Sequence, residues 1–268
     1  MVRSLWRRDM LRLKRERSRW LGVVAQPLLF WLLIGTGMAE TFRLSGQEDV
    51  DYLQYFFPGI VVMTILFTTI FATISIIEDR QSGFLQQVLV APGSRSALVA
   101  GKVAGVTTLT LLQCALLLLV APSAGYPLAG ISWLPLVAVV VLCTVGLTGV
   151  NYAMAWRLQS AQAYHAVMSM VLIPLWVLSG AMFPTPDTPW LRVVMTVNPM
   201  TYAVDGLRQV LSPEQGSALA LAEGPAGCFA QGGVACTWDA SAIILLGFAI
   251  LALALAVRAS RRPAGNPA

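Results

Sequence analysis

The stretch "YFFPGIVVMTILFTTIFATISII", Tyr55–Ile77, decides the fold class of this 268-residue chain, because it contains no charged side chain. At about 1.5 Å per residue, a helix over this stretch would cross the ~30 Å hydrocarbon core of a bilayer. The whole chain agrees with this, since 57% of its residues are hydrophobic, 12% are charged and the mean hydropathy is +0.71. A soluble domain carries about 25% charged residues. The composition therefore predicts an integral membrane protein.

Further apolar runs flank this stretch on both sides and, together with it, predict six membrane-spanning helices. The predicted spans are Trp20–Ala39, Tyr55–Ile77, Val103–Ala121, Trp133–Trp156, Ala163–Phe183 and Ala240–Val257. Pro174 in the fifth span predicts a kink, which a membrane helix tolerates when its neighbours satisfy the freed carbonyl. We expect an all-α fold with one transmembrane domain over residues 1–268.

The lysines and arginines predict the orientation of these spans. Eight lie in residues 1–19, three in the loop 78–102, one in 157–162 and three after Val257. Only Arg43, Arg192 and Arg208 fall on the opposite side. The positive-inside rule then places both termini in the cytoplasm. We expect the protein to lie in an inner (cytoplasmic) membrane. The net charge of +5 is thus a signal of topology and does not indicate nucleic-acid binding.

The sequence shows no catalytic machinery. Gly101-Lys102 lacks the earlier glycine of a phosphate-binding loop and is followed by Val103, where Ser or Thr is required. No cluster of metal ligands is visible, and the lone His165 suits packing at the mouth of the fifth span better than catalysis. We therefore expect a chain that is not an enzyme and that binds no cofactor or metal itself.

The cytoplasmic loop 78–102 predicts a small helical hairpin under the membrane. Phe84, Leu85, Val88 and Leu89 form an apolar stripe. Pro92-Gly93 should end this helix, and Ser94 can cap the next one, which leads into the third span. Such a helix suits docking into a groove of a soluble partner. A linker lying passively in the interface is the alternative.

Two motifs resemble those of ABC-2 type transporter permeases, most closely the daunorubicin-resistance and nodulation-export permeases. The first is the string Glu78, Gly83-Phe84-Leu85, Val90-Ala91-Pro92, Ser94-Arg95 and Gly101-Lys102. Family members often carry Thr at the position of Phe84. The second is "LSGAMFPTPDTPW…NPMTYAVDGLR", Leu178 to Arg208, which resembles the region after the family's fifth span. Length, six spans and internal termini also fit, so the resemblance covers the whole chain.

The resemblance implies a separate ATPase subunit, which holds ATP and Mg, and a second permease, with a homodimer expected. It makes the loop 78–102 the coupling helix that seats in the ATPase. The implied coupling residues are Glu78, Gly83, Phe84, Leu85, Pro92, Arg95 and Lys102. It also implies a re-entrant outer hairpin after the fifth span, where the extracytoplasmic loop 184–239 follows. The residues implied in this outer region are Gly180, near the end of the fifth span, and Pro184, Asn198, Pro199 and Arg208 in the loop. An ordinary outer loop is the alternative.

The N-terminal segment 1–19 predicts an amphipathic helix lying on anionic membrane lipid. Val2, Trp6, Met10 and Leu13 share one face, and arginines cover the rest. A solvated basic tail is the alternative.

Short helices are expected outside the membrane over Trp190–Val197 and Pro199–Leu211, with Asn198 as N-cap and Pro199 at the first helical position. Cys228 and Cys236 fall in the same outer loop. They form either a structural disulfide or two free thiols.

These features predict the permease subunit of an exporter for an amphipathic, drug-like or lipid-like substrate. Export of a lipid-linked glycan or lipo-oligosaccharide is the alternative within the class. An integral-membrane enzyme would need polar catalytic residues at membrane depth, and a secondary transporter would need intramembrane carboxylates and repeat symmetry. The sequence shows none of these features convincingly.

Overall fold

The computed structural model describes residues 2–15, 17–38, 51–85, 87, 94–182, 188–211 and 238–261. All regular elements in these ranges are helices. They are α1 (Val2–Arg15), α2 (Arg17–Met38), α3 (Tyr52–Gln81), α4 (Arg95–Leu118), α5 (Trp133–Arg157), α6 (Ala161–Trp176), α7 (Pro189–Val197), α8 (Pro199–Leu211) and α9 (Trp238–Ser260). Two short 3-10 turns, Ala121–Ala124 and Leu128–Gly130, join α4 to α5, and a π turn, Val177–Ala181, continues α6.

Five of the described helices are long and apolar enough to cross a membrane. They are Tyr52–Gln81, Arg95–Leu118, Trp133–Arg157, Ala161–Ala181 and Asp239–Ser260, which match the second to sixth predicted spans. The first predicted span, Trp20–Ala39, is not among them; the part of α2 whose side chains the structure describes is the shorter apolar stretch Ala25–Met38. The chain is therefore a multi-pass membrane protein of the all-α class.

Helix α3 is the central helix of the bundle and packs against α2, α4, α5, α6 and α8. Its buried threonines bond to the preceding turn of their own helix, as Thr64 does to the carbonyl of Ile60 at 2.9 Å. Asn151 Nδ2 donates to Thr69 Oγ1 at 3.1 Å, and Tyr164 donates to Asn151 Oδ1 at 3.0 Å. These bonds give the polar groups at the centre of the bundle partners inside the protein, as an apolar surrounding requires.

Helices α5 and α9 approach each other closely because small residues line their contact. A Cβ atom added at Gly149 would stand 2.7 Å from the backbone carbonyl carbon of Ala252. This distance is shorter than any ordinary contact, so no larger residue fits at position 149. Small residues of this kind allow membrane helices to gain packing energy without a hydrophobic driving force.

The bundle has two distinct ends. The "loop end" contains α1, the last turn of α3, the first turn of α4 and the final turns of α5 and α9. These parts are joined there by bonds such as Lys102–Asp9 and Arg95 to the carbonyl of Ser260. The "hairpin end" contains the end of α2, the starts of α3 and α5, the π turn, α7 and α8. There Tyr52 is bonded to the carbonyl of Met182 at 3.1 Å, and the amide of Ser132, just before α5, to the carbonyl of Val210 at 3.1 Å. Both termini of the described chain therefore lie at the loop end.

Candidate functional site

Helix α1 lies in a groove on α4 that two glycines open. A Cβ atom at Gly101 would stand 3.0 Å from Leu5 Cβ, and one at Gly105 would stand 3.3 Å from Asp9 Oδ2. Trp6 Nε1 also donates to Thr108 Oγ1 at 3.1 Å. The Gly101-Lys102 pair of the sequence motif therefore packs against α1.

Charged side chains join α1 to the ends of α3 and α4. Arg8 contacts Asp79 at 2.5 Å, and Arg12 pairs with Glu78 and lies 3.6 Å from Asp79. These arginines of the N-terminal segment therefore face acidic groups of the same chain. The predicted coupling residue Glu78 has its ion-pair partner inside the subunit.

Lys102 is a shielded cation within this cluster. Its Nζ lies 2.9 Å from Asp9 Oδ2 and 2.7 Å from Ser75 Oγ, and its side chain is only 11% exposed. A shielded ion pair that also has a hydroxyl partner holds its helices in one geometry. Lys102 therefore fixes α1 against α3 and α4.

We expect Lys102→Met to loosen α1, because Asp9 would lose its ammonium partner and keep its contact with Arg8. The loss of a charge-assisted bond at a shielded site costs about 2 kcal/mol. Hydrogen exchange in detergent should show faster exchange of the α1 amides while those of α5 stay unchanged. Arg3→Met, at an exposed position on α1, is the matched control. Unchanged exchange of α1 in Lys102→Met would contradict this role.

The segment that follows α3 turns back towards α1. Gly83 has φ +75°, a left-handed conformation that favours glycine, and Phe84 and Leu85 are helical. The Arg8 guanidinium lies 4.3 Å from the centre of the Phe84 ring, and Leu85 is buried against the bundle. Phe84 is half-buried, so part of its ring remains accessible. The rest of the predicted stripe, Val88 and Leu89, and the predicted helix end at Pro92 lie outside the described residues.

The second half of the predicted hairpin begins as expected. Ser94 Oγ accepts a hydrogen bond from the amide of Ala97 at 3.2 Å, so Ser94 is the N-cap of α4, and this prediction is confirmed. Arg95 donates to the carbonyl of Ser260, the last residue of α9. This bond ties the start of α4 to the end of the described chain.

A second cluster lies at the hairpin end around Gly180. This residue has φ +77°, and its carbonyl accepts bonds from Tyr55 at 2.9 Å and from Arg208 at 2.7 Å. A carbonyl turned out of a helix needs such donors when it is buried. Two residues of the second sequence motif, Gly180 and Arg208, therefore meet directly.

Arg208 is buried, with 2% of its surface exposed. Its guanidinium stands 4.2 Å from the centre of the Tyr55 ring, and its Nη1 lies 3.7 Å from Asp205 Oδ1. Burial raises the pKa of Asp205 to about 6, although the nearby Arg208 acts to lower it. The guanidinium thus links the broken end of α6 to α3 and α8.

Asn198 joins α7 to α8 as predicted. Its Oδ1 accepts from the amide of Met200 at 3.0 Å, and its Nδ2 donates to the carbonyl of Leu175 at 2.6 Å. Pro199 begins α8, and the two short helices occupy Pro189–Val197 and Pro199–Leu211, close to the expected bounds. Pro184, Cys228 and Cys236 lie outside the described residues.

Several residues of these clusters had no recognised role in the sequence. Asp9 and Asp79 partner the basic residues of the loop end, and Tyr55 supports both Gly180 and Arg208. Asp9 carries one usable signal, because it is an acid within a strongly basic segment. Within the described ranges there is no group of three or more His, Cys, Asp and Glu that could hold a metal ion.

The sequence of the chain matches those of a transporter family. Residues 1–212 match the ABC-2 type transporter family. The chain is 30% identical over 217 residues to the transport permease ycf38 of Cyanophora paradoxa, covering 78% of this chain and 73% of that protein. It is 25% identical over 212 residues to the daunorubicin resistance ABC transporter permease protein DrrB1 of Streptomyces coeruleorubidus, covering 77% and 73%. It is likewise 25% identical over 220 residues to nodulation protein J of Rhizobium meliloti (strain 1021), covering 78% and 80%. The chain therefore belongs to the ABC-2 type transporter family, whose members are non-enzymatic membrane subunits that work with an ATP-binding subunit.

Proposed function

We propose that this chain is the permease subunit of an exporter that moves an amphipathic molecule out of the cytoplasm or the inner leaflet. A separate subunit binds ATP and Mg and hydrolyses the ATP. The junction at the loop end carries this proposal, because the 78–85 segment is bonded there to α1 and leads directly out of the central helix α3. A force on this segment would reach the middle of the bundle through one continuous helix.

The proposed topology has six membrane crossings, with both termini in the cytoplasm of a bacterial-type inner membrane. Helix α2 starts next to α1 at the loop end and reaches the hairpin end, where Trp31 Nε1 donates to the carbonyl of Leu53 at 3.0 Å. Its 22 residues span about 33 Å, which is enough for one crossing. Arg3, Arg7 and Leu11 remain exposed on α1, which suits a helix resting on anionic lipid.

The hairpin of α7 and α8 is proposed to enter the outer leaflet without crossing it. Helix α7 has nine residues and covers only about 14 Å. Trp190, Val193 and Val197 are exposed on it, at a spacing that places them on one face. Exposed apolar groups of this size suit lipid better than water.

The substrate class is proposed from the surface of the spans and from the relatives. Exposed apolar side chains, such as Met170 with 80% of its surface accessible, cover α6, and such a surface suits contact with an amphipathic molecule in the membrane. The names of two relatives refer to daunorubicin resistance and to nodulation. We favour a drug-like or lipid-like amphiphile, and a lipid-linked glycan or lipo-oligosaccharide is the second candidate.

The purified chain alone should hydrolyse no ATP. The sequence lacks a phosphate-binding loop, so turnover should appear only when an ATP-binding subunit copurifies with the tagged chain. Phosphate release should be measured for the chain alone and for the copurified complex. The control is a complex whose partner lacks the lysine of its phosphate-binding loop, and this complex should release no phosphate. Turnover by the isolated chain, free of any partner in mass spectrometry, would disprove the proposal.

Cys228 and Cys236 are proposed to form a disulfide in the mature protein. The loop that contains them faces an oxidising compartment if both termini are cytoplasmic. Alkylation without reductant, followed by intact-mass measurement, should leave this pair unmodified. Two alkylated thiols in the loop peptide would show that the cysteines are free.

A further inference from the structure

Arg80 lies at the loop end, next to the acidic pair Glu78–Asp79, but its guanidinium bonds elsewhere. Nη1 donates to the carbonyl of Trp156 at 3.0 Å, and Nη2 donates to the carbonyl of Ala155 at 3.4 Å and to that of Leu158. All three acceptors belong to the end of α5 and the residue after it. One side chain of α3 therefore holds the terminus of another helix.

These carbonyls are the ones that a helix cannot satisfy by itself. The last four carbonyls of an α-helix have no partner within the helix, and α5 ends at Arg157. The negative end of the helix dipole also favours a cation at this place. Arg80 thus closes α5 from outside, with bonds whose geometry depends on its planar, forked head.

The neighbouring residue extends this contact to the turn between α5 and α6. Gln81 Nε2 donates to the carbonyl of Gln159 at 3.0 Å. Directly after it, Ser160 caps α6 by accepting a bond from the amide of Ala163 at 3.1 Å. Two consecutive residues of α3 therefore fix the turn from which α6 starts.

We propose that Arg80 is a positioning residue that transmits movement of the 78–85 segment to α6 through the α5–α6 turn. Arg80 is itself part of this segment, on the last turn of α3, so a displacement of the segment also displaces its guanidinium. Helix α6 then leads to Gly180 and Arg208 at the hairpin end. This inference rests on the proposed coupling role of the loop 78–102, and it adds the route by which that movement reaches the outer side.

The test compares hydrogen exchange in the complex of the tagged chain with its copurified ATP-binding subunit, with and without ATP plus vanadate. In the parent, trapping the nucleotide should change exchange both in 78–85 and in 158–176. In Arg80→Gln, the change in 78–85 should persist while the change in 158–176 is lost. Without nucleotide, the turn amides should exchange about tenfold faster in this variant, since a charge-assisted bond contributes at least that factor.

Two further variants separate the possible outcomes. Arg258→Gln, at an exposed arginine of the same end, should behave as the parent does. Phe84→Ala should weaken the response of both segments, so a normal response of Phe84→Ala would count against the coupling role of the loop itself. A full response of 158–176 in Arg80→Gln would overturn the inference about Arg80 and leave the coupling role of the loop untouched.

If Arg80→Gln does not accumulate, Arg80→Lys replaces it, because an ammonium cannot bond to three carbonyls as the forked guanidinium does. An intermediate response of 158–176 in Arg80→Lys supports the inference, and an unchanged response overturns it.

Discussion

Arg208→Met should cause a large fall in the thermal stability of the detergent-purified chain. The substitution removes a buried cation and leaves the Asp205 carboxyl without its compensating charge. It also removes one of the two donors, Tyr55 and Arg208, that bond to the carbonyl of Gly180. Breaking a buried pair in this way costs about 3–5 kcal/mol. For a protein of this size, that corresponds to a fall in Tm on the order of 10 °C.

The matched control and a double variant make this prediction specific. Arg192→Met, at an exposed arginine on α7, should leave Tm unchanged. The double variant Arg208→Met/Asp205→Asn should recover part of the loss, because position 205 then carries no carboxylate that needs a compensating charge. A Tm of Arg208→Met within about 2 °C of the parent would contradict the role of the guanidinium, since that shift corresponds to under 1 kcal/mol.

The sign of the pH effect follows from the pKa of Asp205. Burial raises this pKa to about 6, whereas an unfolded Asp titrates near 4. The folded state therefore holds the proton more tightly, so Asp205 costs stability above pH 6, and this cost falls as the pH decreases towards 4. Without Arg208, no cation opposes the rise that burial causes in the pKa of Asp205, so the charged carboxylate costs more stability at pH 8 than it does in the parent. At pH 5 the carboxyl is largely protonated, so the Tm deficit of Arg208→Met relative to the parent should be smaller at pH 5 than at pH 8. The same deficit at both pH values would show that Asp205 does not titrate in this range.

Local features of the fold could be predicted because their signals are local in sequence. Apolar length predicted the five helices that are long enough to cross a membrane, and the Ser94 and Asn198 caps follow from the residues that come directly after them. The burial of Lys102 and Arg208 could not be predicted, because their partners come from distant helices. The bonds of Arg80 are even harder to predict from the sequence, because its acceptors are backbone carbonyls, which every residue carries.

Phe84→Ala should weaken binding of the ATP-binding subunit about tenfold or more. The ring is half-buried under Arg8, so its accessible part is held in place to meet a partner. A buried aromatic anchor in a small interface contributes ~2 kcal/mol or more, and a tenfold change in affinity needs only about 1.4 kcal/mol. Copurification of the partner with the tagged variant, followed by titration of the separated subunits, measures the effect.

Variants around Phe84 test whether the effect belongs to the loop as a unit. Glu78→Gln and Arg95→Ala should reduce coupled ATP turnover, because they release the segment from Arg12 and α4 from Ser260. Leu134→Ala, at an exposed apolar residue of the hairpin end, should leave binding unchanged. Full assembly and full turnover in both Phe84→Ala and Arg95→Ala would mean that the loop 78–102 is a passive linker.

The most direct measurement is site-specific photo-crosslinking from the loop in intact cells. A photoreactive amino acid at Gln87, which is exposed at the loop end, should capture a protein that mass spectrometry identifies as carrying a phosphate-binding loop. The same amino acid at Leu134, which is 82% exposed at the hairpin end, should capture no such protein. We predict that an ATP-binding subunit is captured from position 87 and is not captured from position 134. If a chain labelled at Gln87 is stably inserted and captures only lipid or other copies of itself, the loop is not the coupling surface.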